Sequence, residues 1–385
     1  MKEKIDPYNY ERRYLKWKEK TQIAIPEVNS EDSAIIKQYL NDMEAGINIA
    51  SGSIKGKRSY LRLNALKDRL VWFSRLFWGQ YHLDKMTSIS EEQLLTFFSN
   101  LETGAIKTNK NTHYKGVDTY VNIFKAFWHW HQKSNRKKGV EIPDITIDLD
   151  TTREKPEWVY LTEEQVRTLC NAVRYDYKVL IMFLYDSGIR APTELMNIRV
   201  SDLYNDCKEL NIRNEISKTF GRRIKLMLCS DLLREYIRDQ KLKPQDVLFD
   251  ICPTVVNRYL KRLGKSLFGD IESPAGELYS KLTMYDFRHC SCCYWLPRYK
   301  SESALKYRFG WKKSEKIHYY SEMLGMKDTI SQDDMLMDLT KTEIEKELQK
   351  TQKENELLQE KMKTMEMQMG RIMEITKRLE IVNLN

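Results

Sequence analysis

Four stretches, far apart along the chain, carry side chains suited to chemistry on a phosphate. In Ser187-Gly-Ile-Arg-Ala-Pro-Thr-Glu-Leu195 a glycine turn presents Arg190 ahead of Pro192 and Glu194, which suit the start of a helix. Lys218 opens the turn Lys218-Thr-Phe-Gly-Arg-Arg223, Arg288 lies in Tyr285-Asp-Phe-Arg-His289, and Phe309-Gly-Trp311 is followed nine residues later by Tyr320. A planar guanidinium binds two phosphate oxygens at once and keeps its charge. An ammonium can deliver a proton, and a tyrosine hydroxyl can form a covalent intermediate. Any one of these among 64 basic residues reads most simply as a surface charge; their order is the signal.

In that order the motifs resemble those of the tyrosine recombinases, the integrases and resolvases of phages, plasmids and prokaryotic chromosomes, over roughly residues 55–330. The resemblance rests on Gly188-Ile-Arg190 with Glu194-Leu195, a hairpin lysine at Lys218, Tyr285-x-x-Arg288-His289, Gly310-Trp311 and Tyr320. It implies that Arg190 and Arg288 clamp the scissile phosphate, that Lys218 protonates the departing 5′ oxygen, and that Trp311 donates its indole N–H to a non-bridging oxygen. Tyr320 would be the nucleophile, forming a 3′-phosphotyrosyl bond. Charge gathers on the equatorial oxygens of such a displacement, so positioning and electrostatics carry the catalysis and no metal or other cofactor is implied. Tyr319 adjoins Tyr320, but the family interval from the His or Trp selects Tyr320.

Two departures stand out. Glu194, expected to orient the arginines, is one residue further along than in the commoner family pattern. Tyr285 stands where the family usually has histidine, and a phenol is a poor base at neutral pH. It can still hydrogen-bond the phosphate, but the acceptor of the nucleophile's proton is left open. His289 and His318 are near only in sequence, and His289 matches a family histidine that supports the arginine from behind. Cys290 and Cys293 form a C-x-x-C without a second pair, which reads as core packing rather than zinc ligation. His129 and His131, beside Trp128 and Trp130, read as helix surface and core.

The net charge of +9 is unevenly spread. Residues 1–140 hold 24 Lys and Arg against 15 Asp and Glu, whereas the remainder is balanced. Such an excess with interleaved aromatics suits a nucleic-acid backbone. Lys55, Lys57, Arg58, Arg62, Lys137, Lys138, Arg222 and Arg223 are the expected DNA contacts. Seven cysteines form no secreted disulfide framework, and no apolar run approaches the ~20 residues of a membrane span. A soluble, cytoplasmic, nucleoid-associated prokaryotic protein is expected.

These residues need a scaffold. Leu61, Leu66, Leu70, Phe73 and Phe77 predict a helix over Ser59–Trp78; Ser90 caps a second, and a third runs from about Tyr114 to His131. They make a helical core-binding domain, residues 1–140 with an ordered core of about 30–135. A linker over 141–160 leads to a catalytic domain, 161–335. There Thr162 and Gln165 form a capping box, Thr162–Val173 and Tyr177–Ser187 are helical, and 209–229 forms a small antiparallel sheet. Helices resume at Ser230, Pro253 and Tyr285. In the tail, 336–385, apolar residues recur in heptads with Asn355 on the seam, which predicts a coiled coil; one helix folded onto the body is the alternative.

The fold class expected is therefore mainly α, with an α+β catalytic domain. The activity expected is site-specific cutting and rejoining of double-stranded DNA, and the family implies four protomers on two DNA sites. A type IB topoisomerase, a telomere resolvase and a non-catalytic architectural DNA-binding protein are the competing readings; Arg190, Lys218, Arg288 and Tyr320 together weigh against the last.

Overall fold

Aromatic packing organises the first part of the molecule. The computed structural model describes residues 5–47, 56–152, 155–299 and 301–324, with scattered positions between 351 and 369. Helices α1 (Tyr10–Lys20), α2 (Ser30–Ala45), α3 (Tyr60–Tyr81), α4 (Glu91–Glu102) and α5 (Val117–Arg136) enclose one core. Phe73, Phe77, Phe97 and Phe124 are fully buried, and Phe77 meets Phe97 edge-on at 5.0 Å and Phe73 meets Phe124 at 5.1 Å. Ser59 caps α3, and Ser90 with Gln93 closes the capping box of α4. Helix α1 docks through Asn64 Nδ2, which donates to the Tyr10 carbonyl at 2.8 Å, and α2 through Asp42, which accepts from Trp130 Nε1 at 2.8 Å.

The stretch after α5 returns to this core. Trp128 Nε1 donates to the Pro143 carbonyl at 3.0 Å, and Ile145 and Leu149 are buried. Further on, the Val159 N–H donates to Asp286, the Tyr160 N–H to Ser273 and the Leu161 N–H to the Cys290 sulfur. The connecting segment is thus held at both ends.

The second part comprises α6 (Glu163–Asn171), α7 (Tyr175–Ser187), α8 (Ser230–Asp239), α9 (Pro253–Phe268), α10 (Asp286–Trp295), α11 (Glu302–Phe309) and α12 (Glu315–Met323). Thr162 and Gln165 close the capping box of α6. Strands β1 (Leu203–Tyr204), β2 (Glu209–Ile212) and β3 (Arg222–Lys225) pair antiparallel in that order, with Leu210 opposite Ile224. Helix α10 packs along α7, and its Cys290, Cys292 and Cys293 are buried, the Cys290 sulfur accepting from the Leu161 N–H.

The helix expected after Arg190 is absent. Residues 191–194 form a turn, the Ala191–Pro192 peptide is cis, and only a 3-10 turn, Leu195–Asn197, follows. At Ile198 the chain extends, and its carbonyl accepts from the Leu248 N–H at 2.8 Å, so no room remains for a longer helix.

Residues Ser321–Asn385 form a separate unit. Of the expected seam, Asn355, Leu358, Met362, Met365 and Met369 are helical and exposed, while Ile344, Leu348, Ile372, Thr376 and Leu379 lie outside the described residues. No helix among the described residues is long and apolar enough to cross a membrane.

Candidate active site

The site is built around two consecutive carbonyls at the end of α11. Arg288 donates to the Phe309 carbonyl at 2.5 Å and Arg190 to the Gly310 carbonyl at 2.9 Å. Arg288 also donates to the Gly188 carbonyl at 2.5 Å, two residues before Arg190. The two guanidiniums, 98 residues apart in sequence, are thereby held side by side. Gly188 and Gly310 both adopt left-handed backbone, with φ of 57° and 61°. A Cβ at Gly188 would lie 2.3 Å from the Phe309 ring, so close approach as well as φ requires glycine there.

Glu194 neutralises part of this charge. Its side chain, 1% exposed, accepts from Arg190 Nη1 at 2.7 Å and from Arg222 Nη2 at 2.8 Å. Burial alone would raise its pKa, but the hydrogen bonds and charges of Arg222 and Arg190 outweigh this and hold it at about 2. With the extra residue before it, Glu194 still reaches Arg190, and its second partner is Arg222 rather than Arg288. Burial, and then the Arg190 charge, lowers Arg288 to about 10, so it remains cationic at neutral pH.

Arg222 corrects the sequence reading. Expected to contact DNA, it is 2% exposed and spends its guanidinium on Glu194 and the Arg308 carbonyl. Strand alternation explains this: in β3 Arg222 and Ile224 face inward while Arg223 and Lys225 face out. Arg223 is exposed, pairs with Glu209 at 2.5 Å and lies over the Tyr204 ring.

Lys218 is exposed in the β2–β3 loop between two anchored neighbours. Ser217 Oγ donates to Glu194 at 3.3 Å and Thr219 Oγ1 to the Gly310 carbonyl at 2.8 Å. The loop is therefore tied to the arginine cluster on either side of an exposed lysine.

Tyr320 on α12 is 4% exposed. Its ring stacks on Trp311 at 5.8 Å and 11°, and Trp311 stacks on Phe309 at 5.0 Å. The Trp311 indole N–H makes no hydrogen bond to a described residue. Burial, with Cys292 and Cys293 nearby, raises the Tyr320 phenol well above its ordinary value; the Arg288 charge opposes this. Its hydroxyl lies 2.5 Å from His289 Nδ1. Tyr319 faces elsewhere: Trp158 Nε1 donates to its hydroxyl at 2.7 Å, and that hydroxyl donates to the Pro156 carbonyl at 2.9 Å. Tyr285 is half-exposed and sets its ring edge-on to His289 at 5.2 Å; His318 is exposed.

Sequence reasoning assigned His289 to support behind Arg288 and did not single out Trp158, whose ring stacks on His289 at 4.7 Å. Nothing in the spacing signals either contact, because the one with Tyr320 depends on where α12 docks and the one with Trp158 on where the connecting segment lies against α10. The buried pair Asp186–Arg308, 3.1 Å apart, was also missed; Asp186 accepts three backbone N–H groups from Met227 to Cys229.

Of the other expected DNA contacts, Lys57, Lys137 and Lys138 are exposed, Arg58 and Arg62 half-buried, and Lys55 outside the described residues. His129 bonds Asp144 at 3.0 Å on the helix surface, and burial lowers the pKa of His131.

No curated protein matches the sequence. Among solved structures, the Tn1549 transposon integrase in complex with circular intermediate DNA is similar over 80% of this chain and 98% of that chain, with 14% identity and a TM-score of 0.54. A lambda integrase dimer bound to a COC′ core site matches over 77% and 78%, with 12% identity and a TM-score of 0.53. The XerH site-specific recombinase bound to palindromic difH substrate matches over 84% and 96%, with 13% identity and a TM-score of 0.53. At these identities the likeness is one of fold. Residues 159–324 match the model of the phage integrase family. That span contains Arg190, Lys218, Arg288, Trp311 and Tyr320, so the match to the phage integrase family falls on the part of the chain that holds the arginine cluster and Tyr320.

Proposed function

We propose that this chain cuts and rejoins double-stranded DNA at specific sites with Tyr320 as nucleophile, Arg190 and Arg288 as phosphate clamp, Lys218 as proton donor to the 5′ oxygen and Trp311 as donor to a non-bridging oxygen. The observation that carries the reading is the opposed orientation of the two adjacent tyrosines. Tyr320 points to His289 beside Arg288, whereas Tyr319 is bonded to Trp158 and Pro156. Glu194 keeps Arg190 oriented, which a phosphate clamp requires. The phosphotyrosyl bond conserves the energy of the broken phosphodiester, so rejoining needs no nucleotide. The helical domain, with the charge excess of residues 1–140, holds the DNA backbone, and four protomers assemble on two sites. The relatives named above were seen with DNA, which supports the choice of substrate.

The test is covalent capture. Wild-type protein, incubated with chelator and without nucleotide, is offered nicked duplexes selected by binding, and adducts are resolved on a denaturing gel and mapped. An adduct on Tyr320, lost in Tyr320→Phe but kept in Tyr319→Phe, is expected. An adduct on Tyr319 would move the assignment by one residue, and none on a bound site would favour an architectural protein. Products from one-site and two-site DNA separate recombination from a topoisomerase or telomere resolvase.

A further inference from the structure

We propose that His289 is the proton acceptor for Tyr320, the part that the residue at position 285 cannot play in this chain. The inference rests on the reading of Tyr320 as nucleophile. His289 Nδ1 lies 2.5 Å from the Tyr320 hydroxyl, within the reach general-base catalysis needs. Tyr285 presents a phenol, which is a poor base at neutral pH, and its ring meets His289 edge-on.

The imidazole is held in place. Trp158 stacks on one face at 4.7 Å and 26°, and Trp158 is in turn fixed by its hydrogen bond to Tyr319. For Nδ1 to accept, the ring proton must sit on Nε2. In the step, the Tyr320 O–H bond breaks and its proton passes to Nδ1 as the oxygen bonds to phosphorus. The bond from phosphorus to the 5′ oxygen breaks, and that oxygen takes a proton from Lys218. An imidazolium and a neutral lysine result, and rejoining returns both protons. Arg288, whose charge already favours the phenolate, and the clamped phosphate offset the charge that develops. Ionisable groups facing the pair include Tyr285, Arg288, Cys292 and Cys293 from α10 and its cap, and Tyr319 from α12; Trp158, from the connecting segment, is not ionisable.

Two measurements test the assignment. In full-length protein with ¹⁵N-labelled histidine, of which there are six in the chain, the Nε2–H tautomer is expected for His289, and Tyr320→Phe should perturb its Nδ1 resonance; no DNA is needed. An Nδ1–H tautomer, or a resonance indifferent to Tyr320→Phe, overturns the proposal. On a nicked substrate, His289→Asn should bind normally and form adduct about 10²–10⁴-fold more slowly. The loss of wild-type rate at acid pH, where imidazole is protonated, should vanish in this variant. A substrate with sulfur in place of the 5′ bridging oxygen needs no proton on the leaving group, so it should rescue Lys218→Ala and leave His289→Asn slow. Equal rescue of both, or a wild-type rate for His289→Asn, also overturns the proposal. If wild-type protein makes no adduct, the nucleophile reading falls, while the resonance experiment still reports on the hydrogen bond.

Discussion

The indole N–H of Trp158 donates to the Tyr319 hydroxyl at 2.7 Å, across 161 residues of sequence. Through it the tyrosine next to the proposed nucleophile fixes the ring that stacks on His289. Tyr319→Phe keeps the ring and removes this acceptor, at a cost of about 1 kcal/mol for a neutral hydrogen bond. We expect adduct formation to slow by roughly fivefold with little change in DNA affinity. Single-turnover kinetics beside Tyr320→Phe, which should give no adduct, check this.

Glu194 makes a pH-dependent contribution to stability. Its folded pKa of about 2 lies below the ordinary 4.5, so its contribution is present above 4.5 and is lost as pH falls towards 2. The shift corresponds to about 3 kcal/mol. Glu194→Gln should therefore be destabilised by about that amount at neutral pH, and the gap to wild type should close on acidification. Denaturant midpoints across this range measure it; a gap independent of pH would show that the carboxylate charge is not what stabilises the cluster.

The neighbours Arg222 and Arg223 should behave oppositely. Arg222→Ala leaves Glu194 partly unpaired in the core, and breaking a buried pair costs about 3–5 kcal/mol. Arg223→Ala removes an exposed pair worth about 0–1 kcal/mol and should leave the fold intact. Thermal melts of the two variants decide it.

These contrasts show where the sequence was legible. Caps at Ser90 and Thr162 and the β-branched run around Lys218 signalled their elements, because capping and alternation are local. Helix α1 gave no comparable signal: only Tyr14 is buried, and it meets Trp17 and Tyr60 rather than an apolar stripe. In α2, Ile36, Tyr39, Leu40 and Met43 do follow a helical period, but in a largely polar stretch. At the site the order of Arg190, Lys218, Arg288 and Tyr320 was readable. Which side of β3 faced inward, and which atom Tyr320 would meet, were not, since both are set by packing between elements far apart in sequence.

The tail offers a prediction about assembly. Asn355 at a seam position can pair with its counterpart and fix a two-stranded register. Among the described tail residues, Leu358, Met362, Met365 and Met369 are helical and exposed. Sedimentation of residues 341–384 should show a dimer; a monomer at about tens of micromolar, the range for marginal helices, would favour a tail folded onto the body.

The DNA clamp is best tested through salt. Each lysine or arginine that neutralises a phosphate releases counterions, so log K falls with log salt by about 0.9 per contact on duplex DNA. Residues 1–140 hold the whole charge excess, and Lys57, Lys137 and Lys138 are exposed there. Changing these three to alanine in the full-length protein should lower affinity at low salt and flatten the slope by up to about 3 units, with the fold unchanged because none is buried. Arg223→Ala should flatten it by at most about 1, since its guanidinium is already shared with Glu209 and Tyr204. Adduct formation on DNA at saturating protein should be unaffected by the triple change, because none of the three belongs to the arginine cluster. If the triple variant keeps the wild-type slope while Arg223→Ala or changes elsewhere in 161–324 lower it, the clamp lies in the catalytic domain, and the charge excess of the helical domain serves something other than the DNA backbone.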